Sequence, residues 1–124
     1  MKAKESDLCK LFIRQVKQLK AWNYYKTDFE IVHIPNERIS GKNKFLAYNY
    51  NNHLCAMGML PGVADYIILY HPGKTAAIEF KRDKTCKLQT NQQEFKSRCG
   101  DLEMPYLCTY SVDEALEFMK ELLG

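Results

Sequence analysis

Apolar residues recur at helical spacing over residues 4–22, and polar or basic residues fill the positions between them. This spacing predicts an amphipathic helix with one apolar stripe and a wetter side that carries most of the basic residues. The stripe consists of Leu8, Leu11, Phe12, Val16 and Leu19, and the basic residues are Lys10, Arg14, Lys17 and Lys20.

Short apolar runs predict strands; in chain order they are residues 29–34, 65–70, 75–81 and 106–110. The second run has no polar face at Ile67, Ile68 and Leu69, which predicts a central strand covered on both faces. Pro72 and Gly73 lie between the second and third runs. We therefore expect these two runs to pair as an antiparallel hairpin.

Further stretches predict helices over residues 45–59, from Thr90 to about Cys99, and from Ser111 or Val112 to about Leu123. The first of them is the weakest pattern, because its opening half is rich in Asn and Tyr. Thr90 and Gln93 have the spacing of a capping box, and Gly100 is expected to end the helix they open.

The 124 residues are enough for one domain with a hydrophobic core. Since no linker, repeat or low-complexity stretch divides the sequence, residues 1–124 are expected to form a single domain. The order of elements is helix, strand, helix, strand, strand, helix, strand, helix. This order predicts an α/β fold in which helices flank a mixed β-sheet.

Two acidic residues and one basic residue of the predicted hairpin are candidates for a common site. Asp65 opens the first strand, and Glu79 and Lys81 lie two residues apart on the second, so they share one face. If Asp65 lies beside them, two carboxylates and an ammonium converge, which suits Mg²⁺ and a phosphodiester. The carbonyl of Phe80 lies between the two side chains of the second strand and can add a hard oxygen ligand.

These motifs resemble the stand-alone VRR-NUC domain, a virus-type replication–repair nuclease of the PD-(D/E)xK superfamily. Family members share a helix bearing a glutamate, a strand ending near hipNE, then G-x-x-pG-x-pD, iElK and L-s-x-x-Q. The matching residues, in the same order over nearly the whole chain, are Glu5, 32–37, 58–65, 78–81 and 88–92. One departure is Ala64, where the family usually has a proline that shapes backbone and does no chemistry.

The resemblance implies a restriction-endonuclease-like core and hydrolysis of DNA with Mg²⁺ or Mn²⁺. It implies that Asp65 and Glu79 hold the metal, with Lys81 and Gln92 as further catalytic residues. Lys81 is expected to act on the attacking water as a base or on the phosphate as an electrostatic clamp, and both roles stay open. Glu5 follows as another metal ligand from the resemblance, whereas the residue pattern alone equally suits a glutamate favoured by the helix dipole.

Stand-alone members of the family resemble Holliday-junction resolvases. The expected function is therefore a DNA endonuclease selective for Holliday-junction-like or branched DNA, acting as a homodimer. The alternatives are a nuclease for flaps or nicked duplex, and a catalytically idle DNA-binding module of the same fold. No small-molecule cofactor and no membrane partner are expected.

Each signal also has a simpler explanation. Glu79 and Lys81 alone could form an ion pair on an exposed strand. Asp65 could cap the start of a strand, and Gln92 could be an ordinary polar residue in the first turn of a helix. Their joint occurrence in the family's order favours the site. The three histidines are scattered and are expected to be structural or solvent-facing; they are His33, His53 and His71.

Charge is unevenly distributed along the chain, although the formal net charge is only +3. Residues 81–98 are strongly basic and residues 101–124 are strongly acidic. A focused positive patch attracts polyanions more than net charge implies. Arg82, Lys84 and Lys87 are thus expected to contact DNA phosphates, the alternative being a solvated loop.

The five cysteines show no C-x-x-C motif and no spacing typical of zinc sites. They are expected to be free thiols in a reducing, cytoplasmic location, since no signal peptide is recognised. No apolar run approaches the ~20 residues of a membrane-spanning helix.

Overall fold

A four-stranded mixed sheet with helices on its faces forms the framework in the computed structural model, which describes residues 4–35 and 44–124. The helices are α1 (Glu5–Ala21), α2 (Lys44–Ala56), α3 (Thr90–Asp101) and α4 (Val112–Leu123), and the strands are β1 (Phe29–His33), β2 (Tyr66–Tyr70), β3 (Lys74–Phe80) and β4 (Tyr106–Thr109). The predicted α/β fold class is confirmed. It is compatible with the restriction-endonuclease-like core that the resemblance implies.

The strands lie in the order β1-β2-β3-β4. β2 and β3 form the predicted antiparallel hairpin, with Tyr66 opposite Ile78 and Tyr70 opposite Lys74. β1 is antiparallel to β2, and β4 is parallel to β3, with α3 as the long crossover that parallel strands need. The start of β2 and the ends of β1, β3 and β4 therefore meet at one end of the sheet.

One face of the sheet packs against α1 and α4 and forms the core. Its fully buried large side chains are Phe12, Val16, Ile68, Ile78, Phe80, Met119 and Leu123. The Phe12 ring lies 5.5 Å from the ring of Tyr66 and 5.2 Å from that of Phe80. Burying each such side chain stabilises the fold by about 1.5–3 kcal/mol, which fixes α1 against the strand ends.

The helices are short, and α1, α3 and α4 carry charged residues on their exposed faces. α1 is the longest of those described, with 17 residues, and it buries Phe12 and Val16 from the predicted apolar stripe. Within the described ranges, none of the helices combines the length and the apolar character needed to cross a membrane.

The expectation that β2 is covered on both faces is wrong. β2 is central, and Tyr66 and Ile68 are buried on its core side, but Leu69 on the opposite side is 45% exposed. α3 packs on this opposite side against β4 rather than β2, as the contact between the rings of Phe95 and Tyr106 shows. Among the described elements, β1 and β2 therefore lack a helix over this face.

The ends of α2 and α3 differ from those predicted. α3 continues past Gly100 to Asp101, and it ends where Glu103 adopts the left-handed conformation with φ 57°. Its N-cap is Gln89 rather than Thr90.

α2 ends at Ala56 instead of Met59. Gly58 has φ 107°, outside the helical region, and the Met59 N–H donates back to the Leu54 carbonyl.

Candidate functional site

Asp65 and Glu79 lie side by side at the common end of β2 and β3. The register that pairs Tyr66 with Ile78 places Asp65, one residue earlier, opposite Glu79, one residue later. The Asp65 N–H donates to Glu79 Oε2 at 3.0 Å, and the Phe80 N–H donates to Asp65 Oδ2 at 2.7 Å. Each carboxylate thus caps the backbone of the neighbouring strand, and the two cannot separate without breaking these bonds.

Lys81 and Gln92 join this pair from the β3 end and from α3. Lys81 Nζ donates to Gln92 Oε1 at 2.8 Å, and Gln92 Nε2 donates to Glu79 Oε1 at 3.0 Å. Lys81 Nζ also lies 3.9 Å from Glu79 Oε1. Lys81 is 8% exposed and Glu79 is 4% exposed, so these two charged groups are nearly closed to solvent, while Asp65 and Gln92 are half-buried. The structure therefore brings together all four predicted catalytic side chains.

The first turn of α3 reaches the network because Gly62 allows the backbone of its loop to contact the backbone of α3. A Cβ atom at Gly62 would lie 2.4 Å from the carbonyl carbon and oxygen of Asn91 and 2.8 Å from the Gln92 nitrogen, and the Gly62 φ is 89°. The Gln89 N–H then donates to Gln92 Oε1 at 2.9 Å and fixes that side chain. Glycine in the loop thus positions Gln92 over the strands.

Burial and a neighbouring carboxylate raise the pKa of both carboxyl groups. Burial is the largest cause of the raised pKa of Asp65, with a smaller contribution from Glu5 and an opposing one from the Phe80 N–H. Burial and then the Asp65 charge raise the pKa of Glu79 to about 8, against the opposing charge of Lys81. Without a further cation the pair tends to hold a proton near neutral pH, and a divalent ion beside it would remove that penalty.

Glu5 lies on the same side of the molecule but outside the network. It is exposed, and it lines a groove with Asp65. No group of three or more His, Cys, Asp or Glu side chains in residues 4–35 and 44–124 has the arrangement of a metal site. The structure therefore brings Glu5 near the two carboxylates, but it does not assemble the predicted three-carboxylate set.

The donor set at the strand ends fits Mg²⁺ or Mn²⁺ on chemical grounds. Asp65 and Glu79 supply hard carboxylate oxygens, and Mg²⁺ is commonly held by one or two carboxylates together with water and substrate phosphate. The N–H and C=O of a strand residue point to the same side, so we expect the Phe80 carbonyl to face Asp65, as its N–H does. The buried Phe80 side chain points into the core, away from the site.

His33 also belongs to this end of the sheet, which the sequence pattern did not indicate. Its Nδ1 lies 3.1 Å from the Asp65 carbonyl oxygen, and the Ile34 N–H donates to the same oxygen at 2.8 Å. The imidazole is exposed and lines the groove beside Asp65. The sequence signals for this position were the end of the predicted strand at residue 34 and the match of residues 32–37 to the hipNE motif, and neither assigned a role to His33. The other two histidines, His53 and His71, are exposed, as expected.

The basic run after β3 forms an exposed turn beside the site. Arg82, Lys84 and Lys87 are exposed, and Arg82 Nε lies 3.5 Å from Asp83 Oδ2. Asp83 organises the turn by accepting the Thr85 N–H at 2.9 Å. The three cations are therefore placed to meet a polyanion, and their contact with DNA stays a prediction.

Comparison with family models, curated proteins and solved structures finds no match to this chain.

Proposed function

We propose that the protein is a metal-dependent DNA endonuclease of the VRR-NUC type. The observation that carries the proposal is the closed network of Asp65, Glu79, Lys81 and Gln92 at one end of the sheet. A surface ion pair between strand residues would be exposed and singly bonded. Here instead the half-buried Asp65, the buried Glu79 and the buried Lys81 are held in fixed positions by hydrogen bonds, which suits stabilisation of a charged transition state.

The residues of this chain divide the work of phosphodiester hydrolysis between them. A bound Mg²⁺ or Mn²⁺ supplies Lewis-acid charge to the phosphate and activates water. Asp65 and Glu79 would hold such an ion, and the backbone N–H groups of Asp65 and Phe80 orient their oxygens. Lys81 offsets charge on the phosphate or acts on the attacking water, while Gln92 positions both Lys81 and Glu79.

The rival proposal is a catalytically idle DNA-binding module of the same fold. Both proposals predict DNA binding, but only the nuclease requires a divalent ion for product formation. Wild-type protein with labelled DNA and Mg²⁺ or Mn²⁺ is expected to give cleavage products, and EDTA is expected to abolish them. Gel analysis of single strands, flaps, nicked and intact duplexes and four-way junctions measures this, with branched substrates expected to be cut fastest. Intact DNA in every lane with the metal present would favour the idle module.

A homodimer is part of the proposal, because one site cuts one strand and a two-fold axis supplies the second cut. The α2 region supports it: Tyr50 and Met57 are exposed, Met57 to 73%, and such residues are enriched at interfaces. Tyr48 lies in the same helix, but its side chain is outside the described residues. Met59 is half-buried and follows the end of α2.

Sedimentation at micromolar concentration is expected to give about twice the 14.5-kDa chain mass. Met57→Glu should shift the protein towards monomer because it places a charge in the interface. Leu102→Glu is the matched control, since Leu102 is also an exposed apolar residue but follows α3. If the wild-type protein sediments as a monomer, paired cleavage by a homodimer is rejected, and the proposal that the protein is a nuclease still stands.

A further inference from the structure

A groove with a volume of about 580 Å³ runs along α1 and is lined on its other side by Asp65, Tyr66 and His33. We call it the α1 groove, and its walls include Cys9, Lys10, Ile13, Arg14, Lys17 and His33. Glu5 and Asp65, the two acidic residues of the lining, belong to the expected metal site, and the proposed nuclease chemistry gives the other residues of the groove no role.

Two parallel rows of α1 side chains line the groove, one basic and one apolar. Lys10, Arg14 and Lys17 are exposed and stand at positions i, i+4 and i+7, so they follow one line along the helix. Cys9 and Ile13 form a second, half-buried apolar row beside it. A row of cations beside an apolar strip matches a nucleotide strand, whose phosphates and base faces lie on different sides.

His33 adds a flat ring at the end of the groove next to the site. Its imidazole is exposed, and its Nδ1 lies 3.1 Å from the Asp65 carbonyl oxygen, which restricts the ring's orientation. The ring of Tyr66 lies behind it, with centroids 5.3 Å apart. An ordered ring of this kind is a platform on which an unpaired base can stack.

We propose that the α1 groove binds an unpaired segment of the DNA strand that is cut, immediately beside the scissile phosphate. A groove of this volume lies in the size range of small-ligand sites, which corresponds to about one or two nucleotides. The inference rests on the proposed function and narrows its substrate class to DNA with a single-stranded segment at the cleavage position. Flaps and junction arms with unpaired bases meet this condition, and a blunt duplex does not.

The test is binding of a fluorescent single strand, and of a blunt duplex of the same sequence, measured by anisotropy in EDTA so that no cleavage occurs. Wild-type protein is expected to prefer the single strand. Arg14→Glu and Lys17→Glu should each weaken single-strand binding about tenfold and lower the salt dependence by about 0.7 per lost phosphate contact. Arg14→Gln should weaken it less, in the same direction. Thermal melting checks that each variant is folded.

Lys74→Glu is the matched control, because it reverses an exposed lysine at the far end of the hairpin. It should bind the single strand as wild type does. The inference is overturned if Arg14→Glu and Lys17→Glu behave like this control, or if wild type binds the duplex as tightly as the single strand. Since binding is measured without metal, failure of cleavage in a separate Mg²⁺ assay would count against the nuclease and not against the groove.

Discussion

Asp65→Asn is expected to abolish metal-dependent cleavage of DNA while the protein stays folded. Asparagine keeps an oxygen that can accept the Phe80 N–H, so the backbone cap survives. It removes the charge that holds the metal, which should lower the rate about 10²-fold or more, or raise the barrier by about 3 kcal/mol. Single-turnover cleavage of a branched substrate, measured with pure protein, gives the rate. Glu79→Gln and Lys81→Ala are expected to have similar effects on cleavage.

Thermal stability separates this loss from unfolding. Because burial raises the pKa of Asp65, a neutral amide should leave the melting temperature in EDTA unchanged or higher. Mg²⁺ should raise the melting temperature of wild type and not that of Asp65→Asn. Glu117→Gln, which removes an exposed carboxylate on α4, is the control for charge alone. Near-wild-type cleavage by folded Asp65→Asn would reject the nuclease assignment.

Gly62→Ala is expected to lower the free energy of unfolding by about 2–5 kcal/mol, the sum of a left-handed backbone penalty and steric overlap. The overlap arises because the new Cβ would lie 2.4 Å from backbone atoms of Asn91, which cannot rotate away. Moving α3 to relieve it would carry Gln92 off Lys81 and Glu79, so cleavage should fall as well. Urea unfolding gives the stability, and cleavage at a temperature where the variant is folded gives the activity.

Gly58→Ala is the matched control for backbone strain. Gly58 has φ 107°, but a Cβ there meets nothing within 4 Å. Its substitution should cost about 1–2 kcal/mol from conformation alone. If the two alanine variants lose equal stability and retain equal activity, the close approach of the loop to α3 does not position Gln92.

The helices, the hairpin and the placing of Asp65 opposite Glu79 were predictable because they follow from local patterns. A short turn fixes the register of a hairpin, and the period of two then determines which side chains share a face. Lys81 follows from the same alternation. The sequence could therefore place three of the four network residues without any information on distant contacts.

Features that depend on packing between distant segments were not predictable. The network partners of Gln92 depend on the approach of α3 to Gly62, and the position of His33 depends on the register between β1 and β2. The apolar sequence of β2 indicated a strand covered on both faces, but Leu69 is exposed because α3 packs against β4. The α1 groove likewise appears only when α1 and the strand ends are brought together. Its basic row looked like an ordinary solvated helix side.

The reciprocal caps between Asp65 and Glu79 have an evolutionary consequence. Two backbone N–H groups require oxygen acceptors at positions 65 and 79, whether or not a phosphate is ever cut. A lineage that abandoned catalysis would therefore be free to lose the negative charges but not the oxygens. Asn at position 65 and Gln at position 79 are therefore expected in a lineage that has lost catalysis and kept the fold. Replacement by apolar residues would mark a change in the fold itself.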